Sequence, residues 1–118
     1  MEAIVKGIAE GMGAEYEFDY SYGYSSVVND DDMYYLLCDA ASEIIGAENI
    51  EPIEHPSLGG EDFSFYGEKV PSVFYRLGGH KEGEQVWALH NGHFYPDAEA
   101  LKVGASIMSA SAVKFLNK

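Results

Sequence analysis

Two histidines in the run WALHNGHFYPD, Trp87 to Asp97, come nearest in this sequence to the types and spacing of a metal site. Imidazole suits zinc, manganese, cobalt or nickel when carboxylates or water complete the shell. His90 and His93, three residues apart in a loop, supply only two donors, and a protein site wants three or four. Rings that merely pack or cap explain the same pattern, and spacing alone does not choose between the readings.

A second chemically suggestive stretch is GGEDF, Gly59 to Phe63. A carboxylate that follows a tight turn and opens a helix can orient a ligand or a histidine. It can equally cap the helix, since carboxylates are favoured where the helix dipole is positive. Asn29, Asp30, Asp31 and Asp32 read as a helix start, because the three aspartates lack the glycine and the distal glutamate of a calcium loop. The alternating tyrosines from Tyr16 to Tyr24 suit the inward face of a strand, with stacking on sugars or bases as the other use of such a row. Cys38 falls within a helical pattern and reads as a small half-buried residue; no local context activates it as a nucleophile. No serine nucleophile elbow, phosphate loop or dinucleotide fingerprint is present in the sequence.

The elements that must position these residues follow from periodicity. Residues 3–12 place Ile4, Val5, Ile8 and Met12 on one helical face, with Gly11 and Gly13 as the stop. From Ala14 to Tyr24, acids alternate with aromatics, the period of a half-buried strand. Residues 23–28 form a connection. Met33, Leu36, Leu37, Ala40, Ala41, Ile44 and Ile45 then make the wide apolar face of a helix that Gly46 ends with a positive φ. Short strands are expected at 49–54 and 70–77, with one or two helical turns from Glu61 to Tyr66 between them. His80 to Gln85 is a polar loop. The loop 87–97 must bury Trp87, Phe94 and Tyr95, and Asp97 caps a final small-residue helix, 98–116, whose several apolar faces imply deep burial. The order helix, strand, helix, strand, short helix, strand, loop, helix is that of an α/β layer fold. Three short strands leave much of this apolar surface uncovered, so the chain is expected to self-associate or to be part of something larger.

The chain has 118 residues, 47% hydrophobic and 14% aromatic, a composition that suits one globular domain. Its net charge of −13 argues against nucleic acid, whose phosphates it would repel, and favours solubility. No apolar run is long enough to cross a membrane, and the first residues do not read as a secretory signal. A single cysteine forbids an internal disulfide and is compatible with the cytoplasm.

Taken together, GGEDFSFYGEKVPSVFYRLGG, LHNGHF, YPDAEAL and the small-residue helix, in that order, resemble the amidohydrolase branch of the aminoacylase and carboxypeptidase family of two-metal peptidases. GYSSVVND is similar to that family's GYPPVVND junction. The resemblance covers nearly the whole chain. It implies that residues 1–28 end a ferredoxin-like lid and dimerisation domain, as its last helix and strand. Residues 29–118 would be the C-terminal part of an α/β/α catalytic domain. It further implies that His90 is the last metal ligand, and that Gly59, Gly60, Glu61 and Asp62 lie by the cleft that takes substrate. The other ligands and the general-base glutamate belong to a preceding segment that this sequence does not contain.

The implied reaction is amide hydrolysis of an N-acyl amino acid or small peptide, with divalent ions polarising the carbonyl and activating water. The diglycine would let substrate approach the backbone closely. The isolated chain is expected to hold no ion tightly and to be inactive, because one donor does not make a catalytic metal site. A non-catalytic acidic α/β assembly or binding module is the alternative. The family usually has proline where this sequence has Gly92 and a basic or aromatic residue where it has His93, so His93 is not carried over as a ligand, and Gly92 loosens the loop.

Overall fold

The computed structural model describes residues 1–117. Four α-helices follow in order: α1 (Glu2–Gly11), α2 (Asp31–Ile45), α3 (Ser64–Gly67) and α4 (Ala98–Leu116). A 3-10 turn, Ala47–Asn49, follows α2 directly. Both long helices begin as their sequences require. The Asp30 side chain accepts a hydrogen bond from the Met33 amide at 3.0 Å, and that of Asp97 accepts one from Glu99 at 3.1 Å, each satisfying a donor that the first turn leaves free. Gly46 ends α2 at φ +83, and Gly13 follows α1 at φ +68, conformations that glycine reaches without steric cost.

α2 packs against α4, and the core lies between them. Leu37, Ala41 and Ile107 form its centre, with Ile45, Ile50, Val73, Tyr75 and Val103 around them. Ala40 is fully covered. Gly104 is the close-approach position of α4: a Cβ there would lie 2.9 Å from Leu77 Cδ2, so its absence lets the segment after α3 settle onto the helix. Lys114 of α4 reaches back to Asp39 and Glu43 of α2, at 2.5 and 2.7 Å. These hydrogen bonds, Asp39 first and Glu43 second, raise the lysine's pKa above its ordinary value. Cys38, half-buried, takes the place expected of it, and a hydrogen bond with it raises the pKa of Tyr34.

The described residues depart from the expected α/β layers. None of the stretches 14–24, 49–54 and 70–77 forms a strand among the described residues. A strand is defined by its ladder, and these stretches find no second backbone to pair with. Residues 70–77 obtain the nearest substitute. The Asp30 amide donates to the Ser72 carbonyl at 2.9 Å. The Asn29 side-chain amide donates to the Phe74 carbonyl at 3.0 Å, while its oxygen accepts from the Phe74 amide at 2.8 Å. One asparagine side chain thus does for Phe74 what a neighbouring strand would.

Burial is also shallower than expected. In α4 only Gly104 and Ile107 are buried, because α2 covers one side of the helix and its other apolar faces lie open. Ile44, expected on the inward face of α2, is exposed, and α1 buries none of its residues. Three aromatics of 14–24 touch each other instead of a core: Phe18 stacks on Tyr20 at 6.2 Å, and Tyr20 meets Tyr22 edge-on at 5.1 Å. The radius of gyration, 20.5 Å, exceeds the roughly 13 Å of a compact 100-residue domain.

Candidate functional site

The loop that carries His90 is built from consecutive turns. The Asn91 amide donates to the Ala88 carbonyl at 3.1 Å, and the Phe94 amide to the Asn91 carbonyl at 2.9 Å. The Asn91 side chain accepts from the His93 amide at 2.9 Å, the asparagine-to-backbone bond that marks such turns. His90 occupies the third position of the first turn with φ +68, the one left-handed non-glycine residue described. A bonded turn of this kind with positive φ at its third residue ordinarily takes glycine or asparagine. Gly92, the residue expected to loosen the loop, is not in the left-handed region. The conformational demand falls on His90 itself.

The two histidines differ in their surroundings. The His93 ring lies on Trp87, centroids 5.0 Å apart, as a packing partner. The His90 side chain is exposed and makes no hydrogen bond or ion pair among the described residues. The loop does not bury its aromatics as expected: Trp87 and Phe94 remain about two-fifths exposed and Tyr95 is almost fully open. Turns close on their own backbone, but a loop's side chains are covered only by elements stacked over it, and none stands there.

In Gly59–Asp62 the Glu61 side chain accepts from the Phe63 amide at 3.1 Å, and the Ser64 amide donates to the Glu61 carbonyl at 3.2 Å. Glu61 thus ties down the turn that leads into α3, while α3 itself starts from Phe63 without a side-chain cap. Asp62, Gly59 and Gly60 are exposed. Neither glycine has a positive φ. Gly60 instead accommodates a close neighbour, because a Cβ there would lie 2.7 Å from Tyr24 Cδ2. This turn and the His90 loop are separate segments, with no hydrogen bond or ion pair joining them among the described residues.

No group of three or more histidine, cysteine, aspartate or glutamate residues with metal-holding geometry exists among the described residues. A protein metal site needs three or four donors, and the His90 imidazole supplies one. No described helix is long and apolar enough to cross a membrane. Periodicity and motif missed Asn29 and Tyr24 as positioning residues. Both lie in the GYSSVVND junction and Asn29 also at a helix start, but Asn29's partner Phe74 is 45 residues away, beyond the reach of local patterns.

The model of peptidase family M20/M25/M40 matches residues 2–114. The chain is 35% identical over 116 residues to a probable hydrolase of Synechocystis sp., covering 98% of this chain and 30% of that protein. It is 34% identical over 113 residues to the N-acetylcysteine deacetylase of Bacillus subtilis, covering 96% and 28%. It is 32% identical over 120 residues to thermostable carboxypeptidase 1 of Saccharolobus solfataricus, covering 100% and 30%. The chain thus spans less than a third of each relative's length. No solved structure matches it.

Proposed function

The chain belongs to peptidase family M20/M25/M40, and from that premise we propose that it is the C-terminal portion of a metal-dependent amidohydrolase. Its substrates are N-acyl amino acids or small peptides, and the separate chain is inactive. A Bacillus subtilis relative named for N-acetylcysteine deacetylation supports the amide-hydrolysis class. Residues 1–28 end a lid domain, and residues 29–118 belong to the catalytic domain. His90 contributes one donor to a divalent site for zinc, manganese, cobalt or nickel. The remaining donors come from another segment of polypeptide, with which the open faces of α1 and α4 pair. Gly59 to Asp62 border the substrate.

The observation that carries this reading is the His90 side chain, exposed and without a hydrogen-bond partner among the described residues, in a chain matched by the family over residues 2–114. A histidine that only packed would resemble His93 on Trp87.

Calorimetric titration of the isolated chain with zinc or manganese tests the reading. The expected result is no tight stoichiometric binding and no hydrolysis of an N-acetyl amino acid. Tight binding of an ion by this chain alone would overturn it, because the donors would then all lie within these residues. In the longer polypeptide, His90→Ala is expected to lower metal affinity by about 10-fold or more, the scale on which metal sites respond even to changes beyond their direct ligands.

A further inference from the structure

We propose that Tyr24 is the positioning residue of the Gly59–Asp62 turn, with its ring held against the bare backbone of Gly60. The contact is too close for any side chain at position 60: the nearest Tyr24 atoms would lie 2.7 and 3.4 Å from a Cβ there. The absence of a positive φ at Gly60 removes the usual reason for glycine and leaves close approach as the demand it meets. The ring is fixed from a second direction by Phe65, which it meets edge-on at 5.6 Å. The next residue adds a third tie, Ser25 Oγ to Glu68 Oε1 at 2.6 Å. Asn29 and Asp30 then continue the seam along Ser72 and Phe74.

Residues 24–30 are therefore stitched to the segment 60–74. Residues 15–23 make no backbone hydrogen bond among the described residues, and Gly23 has open space around it. The turn's position is thereby tied to the junction at Tyr24, and a displacement of that junction moves the ring that the turn leans on. Only the consequence for substrate rests on the proposed function; the contact itself belongs to this chain.

Nuclear magnetic resonance on the whole chain tests the contact directly. An aromatic ring shifts the resonances of protons beside it, so the Gly60 Hα resonances should be displaced from their positions in Tyr24→Leu. Tyr24→Phe keeps the ring and should keep the shift. Gly60→Ala should move the amide resonances of Phe63, Ser64 and Phe65, which bond back to Glu61 and Asp62. The same substitution in a Tyr24→Leu background should move them far less. Resonances of Leu37, Ala41 and Ile107 report whether each variant keeps the α2–α4 core. Gly60 protons that ignore Tyr24→Leu, or an equal response to Gly60→Ala in both backgrounds, would overturn the proposal. Neither outcome depends on whether the longer protein is a hydrolase.

Discussion

Asn29 joins two distant segments of the chain through one side chain. Its amide satisfies both backbone groups of Phe74, and Asp30 satisfies the Ser72 carbonyl beside it. A typical intramolecular hydrogen bond contributes roughly 1 kcal/mol net. Asn29→Ala should therefore destabilise the chain by about 1–2 kcal/mol in urea unfolding. Asn29→Asp keeps the acceptor for the Phe74 amide but turns an oxygen toward the Phe74 carbonyl, so it should cost at least as much. If both variants unfold like the parent, the seam is not a stabilising feature. His90 is the other instructive residue. Its candidacy was legible from LHNGHF, but its left-handed backbone was not, because φ at position 90 is imposed by the hydrogen bond across the turn from Ala88 to Asn91.

Among the elements, the α2–α4 pair carries the stability that this chain has. Gly104 and Leu77 set the distance between α4 and the segment across it. Gly104→Val should destabilise by about 1–3 kcal/mol through overpacking, and the loss should shrink in a Leu77→Ala background. An equal cost in both backgrounds would place the strain elsewhere. Lys114 closes the far end of the pair. Its folded pKa is raised, so its contribution is fully present below 10.5, its ordinary value, and is lost as pH rises through the folded value. The melting-temperature difference between parent and Lys114→Met should hold steady from about pH 7 to about pH 9 and close in more alkaline solution. A difference that does not change with pH would mean that the aliphatic stem, not the charge, matters.

At the scale of the whole molecule, the extents of 63 by 39 by 21 Å describe a chain with far more surface than its length requires. Ile4 and Ile8 stand exposed on α1 and Met12 just beyond its end, and Leu101, Met108 and Phe115 on α4. Exposed apolar area on this scale marks contact surface. Sedimentation velocity should show association that grows with protein concentration, and Ile8→Asp should weaken it. A chain that stays monomeric over that range would remove the argument from these faces. The charge of −13 opposes such association at low ionic strength, so added salt should strengthen it.

From its sequence alone, the chain's helices, their caps and its family resemblance were determined. Asp30 and Asp97 cap, Gly46 terminates, and Leu37 and Ala41 face inward because three- and four-residue spacing, short polar caps and glycine's free φ act within a few residues. Only the tertiary structure decided the rest. Residues 14–24, 49–54 and 70–77 have strand-like composition, yet a ladder requires a second backbone, and composition cannot say whether one is within reach. The same holds for Trp87, Tyr95 and the outer faces of α4, whose burial depends on what stands opposite them. Tyr24 on Gly60 and Asn29 on Phe74 join residues some 36 and 45 positions apart. Those meetings arise from how the chain returns on itself, a property that local physics leaves open.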